Sequence, residues 1–145
     1  MPYIHDITTD TETPPPFVAL LAIRQKAPNG AEYAGAKIAQ AQKAAYPDIK
    51  PALLDMRPVH AFERALAAAR KMGWDIVAAE PGQGRIEATA TTFWFRFKDD
   101  VVIRIVAQGK GSRLDIRSSS RIGSSDLGTN ARRIRTFLTH LRSGP

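Results

Sequence analysis

A run with strand character near the C-terminus carries two arginines and leads through a glycine- and serine-rich loop into a helix-forming run. Arg117 and Arg121 stand on the strand, Ser124 and Ser125 mark the expected start of the helix, and Asn130 follows within it. The start of a helix offers backbone N–H groups and the positive end of its dipole, and guanidinium groups add paired donors. These five residues therefore predict a site for an anionic ligand at the start of the C-terminal helix.

Helix capping explains the same loop without any ligand. Serine and aspartate are common N-cap residues, and such a cap is worth about 1 kcal/mol. Asp126 would itself occupy the positive end of the dipole, and Gly123 and Gly128 suit a tight turn. The sequence leaves the capping and ligand-binding interpretations both open.

A second set of residues suits acid–base catalysis or the binding of a hard cation. His5 and Asp6 are neighbours near the N-terminus, and Asp99 and Asp100 stand in what reads as a tight hairpin connection. With Asp126 they would serve a small hydrolase or metal-dependent enzyme only if they met in one cleft, because proton transfer needs hydrogen-bond reach. Aspartate is also frequent in turns for local reasons. We keep catalysis by these groups as the alternative hypothesis and favour a non-enzymatic binding module.

Composition and motifs exclude several classes of protein. The 145-residue chain has no cysteine, which rules out disulfides, thiolate nucleophiles, iron–sulfur clusters and zinc sites that rely on sulfur. It has no phosphate-binding Walker loop, dinucleotide fingerprint or zinc-protease motif. We therefore expect no cofactor and no bound metal. The longest apolar run, residues 17–23, is too short to span a bilayer, which takes about 20 residues, and we expect no transmembrane segment and no signal peptide.

Positive charge is concentrated at the C-terminal end of the chain. The net charge is +7, and residues 112–145 hold seven arginines against two aspartates. Such a field favours anionic partners, and we expect an anionic small molecule, a lipid head group or a protein. Nucleic acid is not expected, although aromatics flank Arg96, because alternation places Phe93, Phe95 and Phe97 on one face, which is typical of a core.

The periodicity of the chain predicts the elements that must position these residues. Residues 1–48 read as an irregular segment with a proline-rich stretch and a short helix over residues 36–45, and residues 49–145 as an α+β core. Strands are predicted at residues 52–56, 74–79, 85–97, 101–107 and 113–121, and helices at residues 58–73 and 126–141. Short connections require antiparallel neighbours.

The predicted fold is α+β, with an antiparallel four- to five-stranded sheet and two helices on one face. The order is β-α-β-β-β-β-α, helix-grip-like, with an irregular N-terminal wrap and a single domain over residues 1–145. In the last strand Leu114 and Ile116 face one way, while Arg117 and Arg121 face the other. One face should therefore be core, and the other open to water or a ligand.

Five segments together resemble the family named domain of unknown function 1499. They are residues 4–10 (Ile-His-Asp-Ile-Thr-Thr-Asp), 46–49 (Tyr-Pro-Asp-Ile), 72–74 (Met-Gly-Trp), 98–104 (Lys-Asp-Asp-Val-Val-Ile-Arg) and 117–130. The resemblance covers almost the whole chain and rests on the order and spacing of the segments. It implies an uncharacterised family of bacterial and plastid proteins, often preceded by a membrane segment or export signal, with no known catalytic residues. Because the first motif lies at the start of this chain, we expect either that a preceding segment has been removed or that this is a shorter member of the family. If a segment has been removed, we expect an envelope or membrane-side location.

Overall fold

Six strands form one antiparallel sheet in a computed structural model of the chain, which describes residues 4–93, 96–123 and 128–144. The strands are β1 (Asp6–Thr8), β2 (Ala52–Leu54), β3 (Asp75–Glu80), β4 (Arg85–Thr91), β5 (Lys98–Gln108) and β6 (Gly111–Ser120). The helices are α1 (Leu21–Lys26), α2 (Ala36–Ala45), α3 (Pro58–Lys71) and α4 (Thr129–Ser143). The sheet order is β1-β6-β5-β4-β3, and β2 also pairs with β6. The predicted α+β, helix-grip-like fold and its order of elements are confirmed.

Helices α2 and α3 form where the sequence predicts them. Pro58 is the first residue of α3, a position where its missing N–H is tolerated. Gly73, with a φ of 79°, follows the end of that helix in the left-handed conformation that favours glycine. Helix α2 ends at Ala45, and Pro47 prevents its continuation.

The main hydrophobic core lies between one face of the sheet and helices α3 and α4. The buried apolar residues of the two helices are Ala61, Phe62, Ala65, Ala68, Ala69, Ala131, Ile134, Phe137, Leu138 and Leu141. Trp74, just after α3, stacks on Phe137 of α4 with ring centroids 5.6 Å apart. This contact ties the C-terminal end of α3 to the long last helix.

The opposite face of the sheet is covered by residues 9–35, which we call the N-terminal segment. Phe17 and Leu20 of this segment pack on Val102 of β5. The sequence predicted that the second face of β6 would be wet or liganded, and for most of its length that expectation is wrong. Arg117 is only 2% exposed and Ser119 is fully buried, because the N-terminal segment lies across them.

Strand β1 adds a sixth strand that the sequence did not reveal. It has only three residues and pairs with the C-terminal half of β6, with Asp6 opposite Ser119 and Thr8 opposite Arg117. Three residues are too few to show a two-residue period. Ile7 nevertheless belongs to the main core, so the first residues of the chain contribute to it as well as wrapping it.

The predicted turn at residues 98–100 is wrong, because these residues open β5. Asp99 and Asp100 pair with Ser120 and Ser119 of β6, so the ladder extends past the expected turn. Strand β4 ends at Thr91, and the connection lies beyond it. The predicted burial of the aromatics there is also wrong, since Phe93 is 78% and Phe97 48% exposed. Phe95 lies outside the described residues.

Candidate functional site

Arg117 is locked inside the protein by a two-point ion pair with Asp6. Its Nε and Nη2 donate to the Asp6 carboxylate at 3.0 and 2.8 Å. It also donates to the main-chain carbonyls of Pro15 and Ala31, both in the N-terminal segment. The two charged side chains are 3% and 4% exposed. This guanidinium therefore joins β6, β1 and the N-terminal segment.

Arg121 belongs to a second buried ion cluster, centred on the carboxylate of Asp100. Its Nε and Nη2 each donate to Asp100 at 2.9 Å, and that hydrogen bonding raises the pKa of Arg121. Thr89 donates to the same carboxylate at 2.9 Å, and Arg24 lies 3.4 Å from it. Burial lowers the pKa of Arg24, and the neighbouring Asp100 opposes that shift. Asp100 is fully buried, so it serves as an anchor for two arginines.

Asn130 lies on the other side of the sheet, where it fastens α4 to β6. Its Oδ1 accepts hydrogen bonds from Ser118 at 2.6 Å and from Arg133 at 2.8 Å, and its amide nitrogen donates to Ser120 at 2.9 Å. Arg133 also pairs with Asp99 at 2.8 Å. The hydrogen bond to Asn130 and the ion pair with Asp99 together fix the orientation of the Arg133 guanidinium.

The structure does not bring the predicted ligand residues into one site. The Arg117 and Arg121 side chains lie on the face under the N-terminal segment, each bound to its own carboxylate. Asn130 lies on the helix face. Ser124, Ser125 and Asp126 lie outside the described residues. Ligand contact by these residues stays a prediction.

The candidate catalytic groups also divide between the two faces of the sheet. Asp6 and Asp100 flank Ser119 in the ladder, which puts their backbones roughly 10 Å apart at the usual strand spacing. Asp99 lies on the opposite face with Arg133, and strand alternation directs His5 to that face too. Among the described residues, no group of three or more His, Asp or Glu side chains could hold a metal ion. These four residues are therefore divided between the two faces of the sheet, and catalysis by them stays a prediction.

A groove of about 390 Å³ lies at the start of α4, where three elements meet. We call it the α4 groove. Its apolar wall comes from the end of α3 and the end of β4, and consists of Met72, Gly73, Trp74 and Ala90. Its polar lining consists of Thr91, Thr129, Arg132, Arg133 and Thr136.

The α4 groove is electropositive. Among the described residues its lining contains two arginines and no carboxylate, and Thr129 at its rim is the first residue of α4, the positive end of the helix dipole. The carboxylate of Asp99, 2.8 Å from Arg133, offsets part of the positive charge of that arginine. Arg132 is exposed and forms no ion pair with any described residue. The sequence placed basic residues on the outer side of this helix, but it did not show that the ends of α3 and β4 would close a groove around them.

A larger groove, of about 670 Å³, lies between the N-terminal segment and α2 and is lined in part by Tyr33. The hydroxyl of Tyr33 is buried and has no hydrogen-bond partner among the described residues. Burial raises the pKa of Tyr33 to about 12. The nearby negative charge of Asp6 adds to this shift, and the positive charge of Arg117 opposes it. The neutral phenol is therefore the favoured form in the folded protein.

That raised pKa predicts a loss of stability in strong base. An unfolded tyrosine ionises near a pH of about 10, so the stability contributed by the neutral Tyr33 is complete below that pH and is lost as the pH rises toward 12. Absorbance titration of the phenolates should show one late component that a Tyr33→Phe variant lacks. If the component that the Tyr33→Phe variant lacks had a midpoint of about 10, the ordinary value for tyrosine, this environment for Tyr33 would be contradicted.

Comparison with known proteins identifies the family and several distant structural neighbours. The family model described as "Protein of unknown function (DUF1499)" matches residues 6–141. Protein CV1439 from Chromobacterium violaceum is 14% identical, with 64% of this chain and 92% of that chain covered and a TM-score of 0.48. CalU16 from Micromonospora echinospora is 14% identical, with 64% and 73% covered and a TM-score of 0.44. TTHA0849 from Thermus thermophilus is 11% identical, with 64% and 92% covered and a TM-score of 0.38.

The sequence matches none of the curated proteins with which it was compared. Among the residues that the structure describes, no helix combines the length and the apolar character needed to cross a bilayer.

Proposed function

The chain belongs to the DUF1499 family of proteins of unknown function, and from that premise we propose that it is a non-enzymatic binding module for a small anionic ligand, bound in the α4 groove. One observation carries the proposal: Arg132 and Arg133 face a groove whose described lining residues include no carboxylate, at the positive end of a 15-residue helix. The sequence prediction had placed an anion site at the start of the same helix, with Arg117 and Arg121 as its cationic residues.

The two arginines would play different parts in binding. Arg133 is held by Asp99 and Asn130, so little side-chain freedom is lost when it meets a ligand. Arg132 is exposed and supplies a planar pair of donors that matches the oxygens of a phosphate or a carboxylate. The threonine hydroxyls of the lining add neutral hydrogen bonds.

The groove also suits a ligand with an apolar part. Met72, Trp74 and Ala90 form one wall, and the volume of about 390 Å³ falls within the range of roughly 300–1,000 Å³ that small-molecule pockets occupy. We therefore infer a small organic phosphate or carboxylate rather than a bare inorganic ion.

The residues first predicted from sequence keep a supporting part in this proposal. Asn130 positions Arg133 through a hydrogen bond of 2.8 Å. Arg117 and Arg121 hold the opposite face of the sheet in place through Asp6 and Asp100. Direct contact of the ligand with Ser124 and Ser125, which precede α4 in the chain, stays part of the proposal.

Replacing Arg132 by alanine should weaken the binding of phenyl phosphate by about 10- to 100-fold, since a charge-assisted hydrogen bond contributes about 1.5–3 kcal/mol. Isothermal titration calorimetry would measure this, with phenol as the ligand that lacks the charge. The matched control is Arg57→Ala, which removes an exposed arginine from the far end of α3. Equal weakening by both variants, or no binding by the wild type, would contradict the proposal.

A further inference from the structure

One end of the sheet exposes large apolar side chains next to basic ones. It consists of the β4–β5 connection and the end of β6, and we call its described residues, 92–93, 96–98 and 121–123, the aromatic tip. Phe93 is 78% exposed, Phe97 48% and Ile122 45%. Side chains this apolar are normally covered by protein when they occur together, and a group of them in the open marks a contact surface.

The aromatic tip is built on a hydrogen-bonded turn. The main-chain N–H of Thr92 donates to the carbonyl of Phe97 at 2.8 Å, and the N–H of Phe97 donates to the Thr92 hydroxyl at 2.8 Å. The N–H of Arg121 donates to the carbonyl of Lys98 at 3.1 Å. This bond closes the end of the β5–β6 pair, and Phe97 and Ile122 are the residues that adjoin it along the chain.

The charge of the aromatic tip is entirely positive. Its eight residues include no acidic residue; of its three basic residues Arg121 is bound to Asp100, so the charge that the tip presents comes from Arg96 and Lys98. The nearest carboxylates in the chain, Asp99 and Asp100, are buried and bound to arginines, so they face away from a surface that approaches from outside. Arg96 and Lys98 are exposed.

We propose that the aromatic tip docks the protein on an anionic lipid bilayer. Aromatic and aliphatic side chains at the end of a hairpin can enter the boundary between head groups and acyl chains, while arginine and lysine beside them meet the negative head groups. A single strand of nucleic acid needs a basic channel along which successive bases stack. Arg96 and Lys98, the two exposed basic residues described here, are fewer than such a channel needs.

Co-sedimentation with vesicles tests the proposal. Wild-type protein should bind vesicles made of phosphatidylcholine and phosphatidylserine in equal parts, and should bind pure phosphatidylcholine at least about tenfold less, because anionic head groups attract the basic residues. The Phe93→Ser/Phe97→Ser variant should lose at least about tenfold in binding, since burial of two aromatic rings is lost. Both side chains are exposed, so the fold should survive the change.

Matched variants separate this docking from general stickiness and from the α4 groove. The control Leu53→Ser/Val59→Ser removes side chains that are 67% and 56% exposed away from the tip, and it should bind vesicles as the wild type does. Arg132→Ala should keep its vesicle binding even where it loses phenyl phosphate, and the tip variant should show the reverse. Wild-type protein left in the supernatant with both vesicles, or an equal loss in the control, would overturn the proposal. Tight binding to a single-stranded oligonucleotide that the tip variant abolishes would overturn it in favour of nucleic acid.

Discussion

Replacing Asp6 by alanine should lower the free energy of unfolding by about 3–5 kcal/mol, because it leaves the guanidinium of Arg117 buried without its carboxylate. Both side chains are almost completely excluded from water, at 3% and 4% exposed. A buried charge cannot recover its lost hydration when its partner is removed. Urea denaturation followed by circular dichroism would measure the change.

An exposed ion pair in the same protein provides the comparison. Asp48 binds Arg135 through two short hydrogen bonds, but the side chains are 55% and 44% exposed. Asp48→Ala should therefore cost less than about 1 kcal/mol. If the Asp6 and Asp48 variants lost similar amounts of stability, Arg117 would not be buried as described.

The second large effect is expected at Glu87, which anchors the N-terminal segment to the sheet. Its buried carboxylate accepts main-chain hydrogen bonds from Val18, Ala19 and Leu20 at 2.9, 2.7 and 3.1 Å, and Arg85 donates to it at 3.0 Å. Glu87→Ala removes all of these acceptors at once. We expect a loss of about 3 kcal/mol or more, since each charge-assisted hydrogen bond is worth about 1.5–3 kcal/mol.

The Glu87→Ala change should also loosen the N-terminal segment itself, because the main-chain hydrogen bonds that Glu87 accepts all come from that segment. Trypsin should cut the Glu87→Ala variant faster after Arg24 and Lys26, which lie in helix α1, directly after the anchored residues 18–20. Glu80→Ala, at an exposed position of the neighbouring strand β3, is the control and should be cut at the wild-type rate. Unchanged cleavage in the Glu87 variant would mean that the N-terminal segment is held by other contacts.

Local rules predicted much of the architecture. Pro58 and Gly73 bracket a helix because proline suits its first position and glycine the left-handed residue after it. The alternation in β6 correctly separated two faces, and Leu114 and Ile116 are fully buried. Such features depend on residues within a few positions of each other, so a single sequence contains them.

Contacts between distant parts of the chain were not predictable in the same way. Arg117 meets Asp6 across 111 positions, and Arg24 meets Asp100 across 76. The hydrophobic periodicity of a segment shows which of its side chains share a face. It does not show which distant segment will cover that face. An arginine facing out of a strand therefore reads as a ligand-binding residue, although here Asp6 of β1 neutralises it and the N-terminal segment covers it.

The α4 groove combines both kinds of information. The helix that carries Arg132 and Arg133 is evident from its apolar stripe, so the arginines could be placed on its outer side. The groove itself depends on how the ends of α3 and β4 pack beside that helix, with Trp74 stacked on Phe137. The position of the candidate site was thus within reach of the sequence, while the identity of its cationic residues required the fold.

The most direct measurement is a titration of the isotope-labelled protein with phenyl phosphate, followed by amide chemical shifts. Binding in the α4 groove predicts saturable shifts grouped at Gly73, Thr91, Thr129, Arg132 and Thr136, and none with phenol at the same concentrations. Shifts centred on Arg117 and Arg121, or no saturable shift anywhere, would contradict the proposed site.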